Sequence, residues 1–177
     1  MKLRSRRVAV IASASGNGKT TLGKQLAERL DVPFVELDAL VHGPNWAEIS
    51  DEGLRQLLEP IVAGEGWVVD GDYHRKIGNF VLERADTIVW LDQPIRVWLP
   101  RLLRRTVRRM LRRERLWNDN RESLRDAFWG RESLVGYALG AHFRNRRELP
   151  ARLAPYRVVR LRTPSEVDRF VRDAVAT

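Results

Sequence analysis

Ser13-Ala14-Ser15-Gly16-Asn17-Gly18-Lys19-Thr20-Thr21 stands between an apolar run, Val8 to Ala12, and a helical pattern that begins near Leu22. Glycines at 16 and 18 permit positive φ, so the backbone can turn tightly and aim successive N–H groups at one anion beside a helix N-terminus. Ser15, Gly16, Asn17, Gly18, Lys19, Thr20 and Thr21 are therefore read as a phosphate-binding loop. Lys19 would reach the β- and γ-phosphates of a nucleotide, and Thr20 would place its hydroxyl on Mg²⁺. The full pattern is Gly-x-x-x-x-Gly-Lys-Ser/Thr, and its first glycine falls on Ser13 here. The core Gly-x-Gly-Lys-Thr-Thr is intact, with the strand before and helix after that the motif requires. A Gly/Ser surface turn that happens to carry a lysine is the plainer alternative.

The 177 residues suit one domain with a sizeable core, residues 1–177, with 96–147 as an Arg-rich helix and lid insertion. Hydrophobic residues at 44% and charged residues at 31% fit a soluble globular protein, and no apolar run is long enough to cross a bilayer. The basic start, Met1 to Arg7, is followed only by Val8 to Ala12 before polar residues return, so it is not read as a signal peptide. There is no cysteine, which excludes disulfides, thiolate metal sites and a thiol nucleophile and points to the cytoplasm. The net charge of +9 is unevenly placed: Arg96 to Arg147 holds fifteen arginines against five acids, a net of +10, leaving −1 for the rest. A polyanionic partner, polyphosphate or nucleic acid, is implied for that segment.

Val8 to Ala12 reads as a strand buried on both faces. Leu22, Leu26, Ala27 and Leu30 give the next helix its apolar stripe, and Phe34 to Leu37 forms a second strand closing at Asp38. Strand, helix and strand in about thirty residues make a βαβ unit and hence a parallel sheet. A helix is expected from Ser50 through Val62, kinked or broken at Pro60. Trp67 to Asp70 and Thr87 to Asp92 are the third and fourth strands. From Pro94 a long helix is expected with Leu99, Leu102, Leu103, Val107, Met110 and Leu111 on one side and Arg101, Arg104, Arg105, Arg108 and Arg112 on the other, started or kinked by Pro100. Tyr156 to Leu161 is a fifth strand, and Pro164 opens a closing helix with Val167, Phe170, Val171 and Ala174 inward.

Asp38, Asp70 and Asp92 each end an expected strand, the edge at which open parallel sheets bind ligands, and the loop at Ser13 to Thr21 opens from the same edge. Asp70 has the apolar-strand-then-acid form that orders Mg²⁺, and Asp38 could accept a proton from an attacking hydroxyl. A helix cap or loop salt bridge is the alternative for each. His42 and His74 either serve an acceptor pocket or are incidental. Trp46 and Tyr73 either stack on a ring or close their loops.

These residues resemble the adenylate-kinase-like branch of phosphate-loop (P-loop NTPase) kinases, most of all the small bacterial proteins named adenylate kinase or DNA topology modulation protein. The similarity is carried by Gly16 to Thr21, Leu37-Asp38-Ala39-Leu40 through Pro44-Asn45-Trp46, Trp67 to Tyr73, Ala85 to Asp92 and Leu116 to Glu122. It implies an α/β fold with a five-stranded parallel sheet in the order 2-3-1-4-5, flanked by helices. It implies that Arg101 stacks on adenine and Arg105 holds phosphates, that Arg108, Arg109, Arg112 and Arg121 supply lid charges, and that adenine lies against Arg162-Thr163-Pro164. Adenylate kinases proper carry Asp-Gly-Phe-Pro-Arg where this chain has Asp70-Gly71-Asp72-Tyr73-His74-Arg75, which speaks against AMP as acceptor.

The expected activity is ATP- and Mg²⁺-dependent phosphoryl transfer to a small-molecule acceptor, a nucleotide, nucleoside or other hydroxyl-bearing compound, with Lys19, Asp38, Arg105, Arg109 and Arg112 at the chemistry and Thr20 and Asp70 at the metal. A nucleic-acid-binding ATPase that grips phosphates with the arginine segment is the second reading. Trp117 to Arg131 is expected to be a mobile lid that nucleotide orders, or else a fixed helical hairpin.

Overall fold

Short β-branched runs separated by amphipathic helices leave each strand needing cover on both faces, and parallel pairing with helical crossovers provides it. In the computed structural model, which describes residues 6–43, 47–112 and 133–174, the strands are β1 (Arg7–Ala12), β2 (Phe34–Glu36), β3 (Trp67–Asp70), β4 (Thr87–Leu91) and β5 (Val158–Leu161). All pair in parallel, in the order β2-β3-β1-β4-β5. The helices are α1 (Lys19–Leu30), α2 (Leu37–Val41), α3 (Asp51–Val62), α4 (His74–Ile77), α5 (Ile95–Leu111), α6 (Leu134–Leu153) and α7 (Pro164–Asp173). Trp46, Arg121 and the expected lid at Trp117 to Arg131 lie outside the described residues.

One face of the sheet packs Leu37, Val41, Leu54, Leu58, Ile77, Leu149 and Leu153 against Ala9, Ile11, Val69 and Ile88. The other packs Leu22, Leu26 and Leu30 of α1 with Phe170 and Val171 of α7 against Val8, Val10, Val68 and Val89. At one end of the sheet Ala14, Trp98, Leu102 and Ala138 join the phosphate-loop segment to α5 and α6. No described helix is long and apolar enough to cross a membrane.

Several boundaries differ from the sequence reading, among them the fourth strand, which stops at Leu91 rather than Asp92. The first helix starts at Lys19 rather than near Leu22, because Gly18 at φ 91° supplies the turn into it. The second strand stops at Glu36, and Asp38 falls in α2. Helix α3 runs on past Pro60 to Val62, with Ser50 capping it as expected by accepting from the Gly53 N–H at 3.0 Å. The fifth strand begins at Val158, two residues after Tyr156.

Helix α5 corrects the expected sidedness. Its buried seam is Trp98, Leu102 and Thr106, whereas Val107 is 43% and Leu111 81% exposed. Pro100 lies inside this helix and does not start it. Two apolar stripes compete along an Arg/Leu helix, and the one that meets the loop at Gly16 is buried.

His142 of α6 is 1% exposed, its ring tilted on Trp98 at 5.6 Å. Burial, with Arg146 beside it, pushes its pKa below the ordinary 6.5, against the pull of Asp92. The unfolded chain therefore binds a proton first as pH falls, and stability is lost below about 6.5. Thermal midpoints measured between pH 7.5 and 5.5 should drop for the parent and drop less for His142→Gln.

Candidate active site

The loop turns as its glycines require. Gly16 has φ 83° and Gly18 φ 91°. A Cβ on Gly16 would stand 2.7 Å from the Trp98 carbonyl oxygen and 3.0 Å from Leu102 Cβ, whereas one on Gly18 would meet nothing within 4 Å. Gly16→Ala should therefore cost about 2 kcal/mol or more, strain plus clash, and Gly18→Ala nearer the ~1 kcal/mol of left-handed strain alone. Denaturant midpoints of the two variants check the ranking.

Asn17 is 2% exposed, and its side chain is used inward: Nδ2 donates to the Ala14 carbonyl at 2.9 Å and Oδ1 accepts from the Gln93 N–H at 3.1 Å. Its side chain thus pins the loop to the end of β4, which leaves its backbone N–H as the group that could meet phosphate. Ser13, at the position of the missing glycine, is fully buried. Its hydroxyl donates to Asp92 Oδ1 at 2.7 Å and accepts from Trp90 Nε1 at 2.9 Å, and its carbonyl accepts from Asn145 of α6 at 3.1 Å. A glycine could make none of the hydroxyl contacts. Asp92 also takes Arg160 at 3.0 and 2.5 Å and Arg146 at 3.2 Å. The sequence reading put Asp92 around the phosphate site; its carboxylate is instead committed to the floor beneath the loop.

The mouth of the loop gathers charge. Lys19 Nζ is 3.2 Å from Asp70 Oδ1, with Asp70 2% exposed. Burial works against the ammonium, but Asp70 and then Asp38 outweigh it, so the Lys19 pKa lies above the ordinary lysine value. Arg105 opposes that charge, which puts its guanidinium within electrostatic reach of Lys19. Thr20 Oγ1 donates to Asp70 Oδ2 at 2.7 Å and approaches Glu36 Oε1 at 3.1 Å. Strand register makes this possible, since Glu36 and Asp70 are partners across β2 and β3.

Thr20, Asp70 and Glu36 offer hard oxygen donors, the chemistry that suits Mg²⁺. Among the described residues no three His, Cys, Asp or Glu side chains converge into a protein cage. Glu36 was missed from the sequence because the strand was drawn to Asp38.

On the far side, Asp38 accepts from the Tyr73 hydroxyl at 2.6 Å, and that hydroxyl lies 3.1 Å from His42 Nε2. Asp72 takes Arg152 of α6 on both oxygens at 2.6 Å. Arg152, Asn145 and Arg146, all on α6, carried no motif that sequence reading could find.

Arg101 Nη1 donates to Gln93 at 3.0 Å, Arg109 is half-buried, and Arg112 and Thr21 are exposed. Ser15 is half-buried in the loop. Thr163 caps α7 in a reciprocal box with Glu166, whose carboxylate also takes the Arg162 N–H at 2.5 Å. The backbone N–H groups of Arg162 and Thr163 are thus taken by Glu166.

A family model described as shikimate kinase matches residues 15–52. The shikimate kinase of Sulfurihydrogenibium sp. (strain YO3AOP1) is 34% identical over 101 residues, covering 49% of this chain and 61% of that protein. That of Symbiobacterium thermophilum is 33% identical over 97 residues, 47% and 56% of the two chains. The chain thus spans less than two thirds of the length of these curated relatives. Among solved structures, a shikimate kinase from Acinetobacter baumannii in complex with shikimate superposes with a TM-score of 0.55 at 17% identity, covering 94% of this chain and 89% of that one. A sugar kinase from Janibacter sp. HTCC2649 gives 0.52 at 20% identity, covering 93% and 91%. These matches carry the names of shikimate and sugar kinases, not of the adenylate kinase or DNA topology modulation proteins that the sequence resembled. The sheet order, the loop and the structural neighbours together give the chain the fold of the phosphate-loop kinases.

Proposed function

We propose that this protein is an ATP-dependent phosphotransferase that moves the γ-phosphoryl group onto a hydroxyl of a small-molecule acceptor. One observation carries the reading: Lys19, Thr20, Glu36 and Asp70 converge at the mouth of a positive-φ loop, with Asp38 close enough to act on the Lys19 charge. Residues 1–177 would work as one kinase unit, with 96–147 as its arginine-rich arm.

Catalysis would rest on positioning and charge neutralisation. The N–H groups of Ser15 to Thr21 cradle the phosphates, Lys19 takes the β- and γ-oxygens, and Arg105, Arg109 and Arg112 bring charge to the transferring group. Arg101 and the Thr163 turn border the adenine. Mg²⁺, held through Thr20 and Asp70, would neutralise charge developing on the phosphate oxygens. Asp38 orients the acceptor hydroxyl and takes its proton.

The nucleic-acid reading has less behind it. Among the described residues Arg146 is taken by Asp92, so part of the arginine excess is neutralised inside the molecule.

The relatives' name makes shikimate the first acceptor to try. ADP release with MgATP should rise well above the no-acceptor rate for at least one small hydroxyl compound. Stimulation by duplex or single-stranded DNA, with a steep salt dependence, would favour the second reading instead.

A further inference from the structure

Tyr73 is held in the left-handed region at φ 36°, ψ 35°, uncommon for a residue with a side chain. Its phenol reaches the carboxylate assigned above to the acceptor. Because the hydroxyl donates to Asp38 Oδ1 at 2.6 Å, the contact at 3.1 Å is best made by His42 Nε2–H donating to the phenol. Among the described residues Asp38 Oδ2 takes no hydrogen bond. One oxygen of the carboxylate is thus fixed and the other is offered.

The charges around this triad are one-sided. Asp38, Glu48, Asp51 and Asp72 face two described cations in contact with them, Lys76 and Arg152. Lys76 is taken by Glu48 at 3.0 Å, Asp51 at 3.3 Å and the Ile49 carbonyl at 3.1 Å. Arg152 is taken by both oxygens of Asp72. Four carboxylates against two cations leave −2, and adding Lys19, whose charge Asp38 also feels, together with its partner Asp70 leaves that balance unchanged among the described residues. Arg55 points its Nη2 to the Ile77 carbonyl at 3.4 Å, and Arg75 is exposed on α4. Burial, then Asp38 and Glu48, push the Tyr73 phenol well above its ordinary pKa, and Tyr137 of α6 is close enough to add to the effect. The Tyr73 ring therefore stands in acid-rich surroundings beside Asp38.

Resting on the phosphotransferase reading, we propose that the acceptor is a polyhydroxylated molecule without negative charge, a sugar, cyclitol or amino sugar, and that Tyr73 is the positioning residue that holds Asp38 for it. The reacting hydroxyl donates to Asp38 Oδ2. Its proton passes to that carboxylate as its oxygen bonds to the γ-phosphorus; the bond from phosphorus to the β,γ-bridging oxygen breaks, and ADP leaves with the electron pair. The proton on Asp38 then passes to water. The C–H faces of such an acceptor suit the Tyr73 ring, and its hydroxyls suit the carboxylates. A carboxylate or phosphate on the acceptor would meet repulsion in the same place.

Initial rates of ADP release with saturating MgATP test this, using D-glucose, myo-inositol and glucosamine against shikimate, gluconate and AMP. At least one of the first three should raise the rate about tenfold or more, and the three anions should leave it within about twofold. Tyr73→Phe keeps the ring and removes the hydroxyl. On the stimulating acceptor it should lower kcat about 10- to 100-fold with KM within about threefold and MgATP affinity unchanged.

Strong stimulation by shikimate, gluconate or AMP overturns the proposal, as does an unchanged kcat in Tyr73→Phe. If an anion works and Arg75→Ala removes the effect, the exposed arginine supplies the charge and the proposal is likewise wrong. Silence from all six compounds overturns the acceptor class alone, because the phosphotransferase reading is judged separately by Lys19-dependent binding of MgATP.

Discussion

Lys19→Ala is expected to weaken MgATP binding by about 10- to 100-fold and to lower phosphoryl transfer by roughly 10³ or more. A hydrogen bond to a charged group is worth about 1.5–3 kcal/mol in binding, and a charge aimed at the transferring phosphoryl group adds rate beyond that. The structure also dictates a side effect. Asp70 is 2% exposed and would lose the ammonium 3.2 Å away, keeping the Thr20 hydroxyl at 2.7 Å. The Lys19 side chain is 25% exposed, so the loss is smaller than the ~3–5 kcal/mol of a fully buried broken pair. A fall of several degrees in the thermal midpoint is expected. Titration of MgATP at 20 °C, with folding checked by circular dichroism, separates lost binding from lost structure. Parent-like affinity in a folded variant would mean that the loop does not hold the nucleotide.

Asp92→Ala should be the most destabilising single change at the site, although the residue touches no ligand in this account. Its side chain is 0% exposed and accepts from Ser13, Arg146 and Arg160. Removing it leaves two guanidinium groups and a buried hydroxyl without their acceptor. The cost should be about 3–5 kcal/mol, or roughly 6–20 °C in the thermal midpoint. Arg160 retains its seat over the Trp90 ring at 4.0 Å, which keeps the loss from being larger. Ser13→Gly restores the motif's first glycine yet deletes the hydroxyl that Asp92 and Trp90 share, so it should destabilise rather than improve the loop. A stabilised Ser13→Gly variant would show that the serine is not a structural replacement.

What could be read from the chain followed from local chemistry. The Gly-x-Gly-Lys-Thr-Thr core, the third strand and the Ser50 cap are each settled within a few residues, and all three appear where they were expected. The sheet order came from resemblance, not from periodicity. Contacts between distant residues were not readable. Ser13 and Asp92 are 79 positions apart and Asp72 and Arg152 are 80 apart, and nothing in either neighbourhood names its partner. Asp38, Asp70 and Asp92 looked alike as strand-end acids; the structure gives them different surroundings, one beside a tyrosine, one beside Lys19 and Thr20, one under the loop. Glu36 was hidden by an overlong second strand, and the buried face of α5 by two apolar stripes of similar strength.

The fate of the γ-phosphate tests the central claim most directly. ATP labelled at the γ-phosphate would be incubated with the protein, Mg²⁺ and each acceptor, and the products separated. The account predicts label in a phosphate ester of the acceptor, dependent on Mg²⁺ and lost in Lys19→Ala. Label recovered only as inorganic phosphate with every acceptor, and released faster when DNA is added, would contradict it.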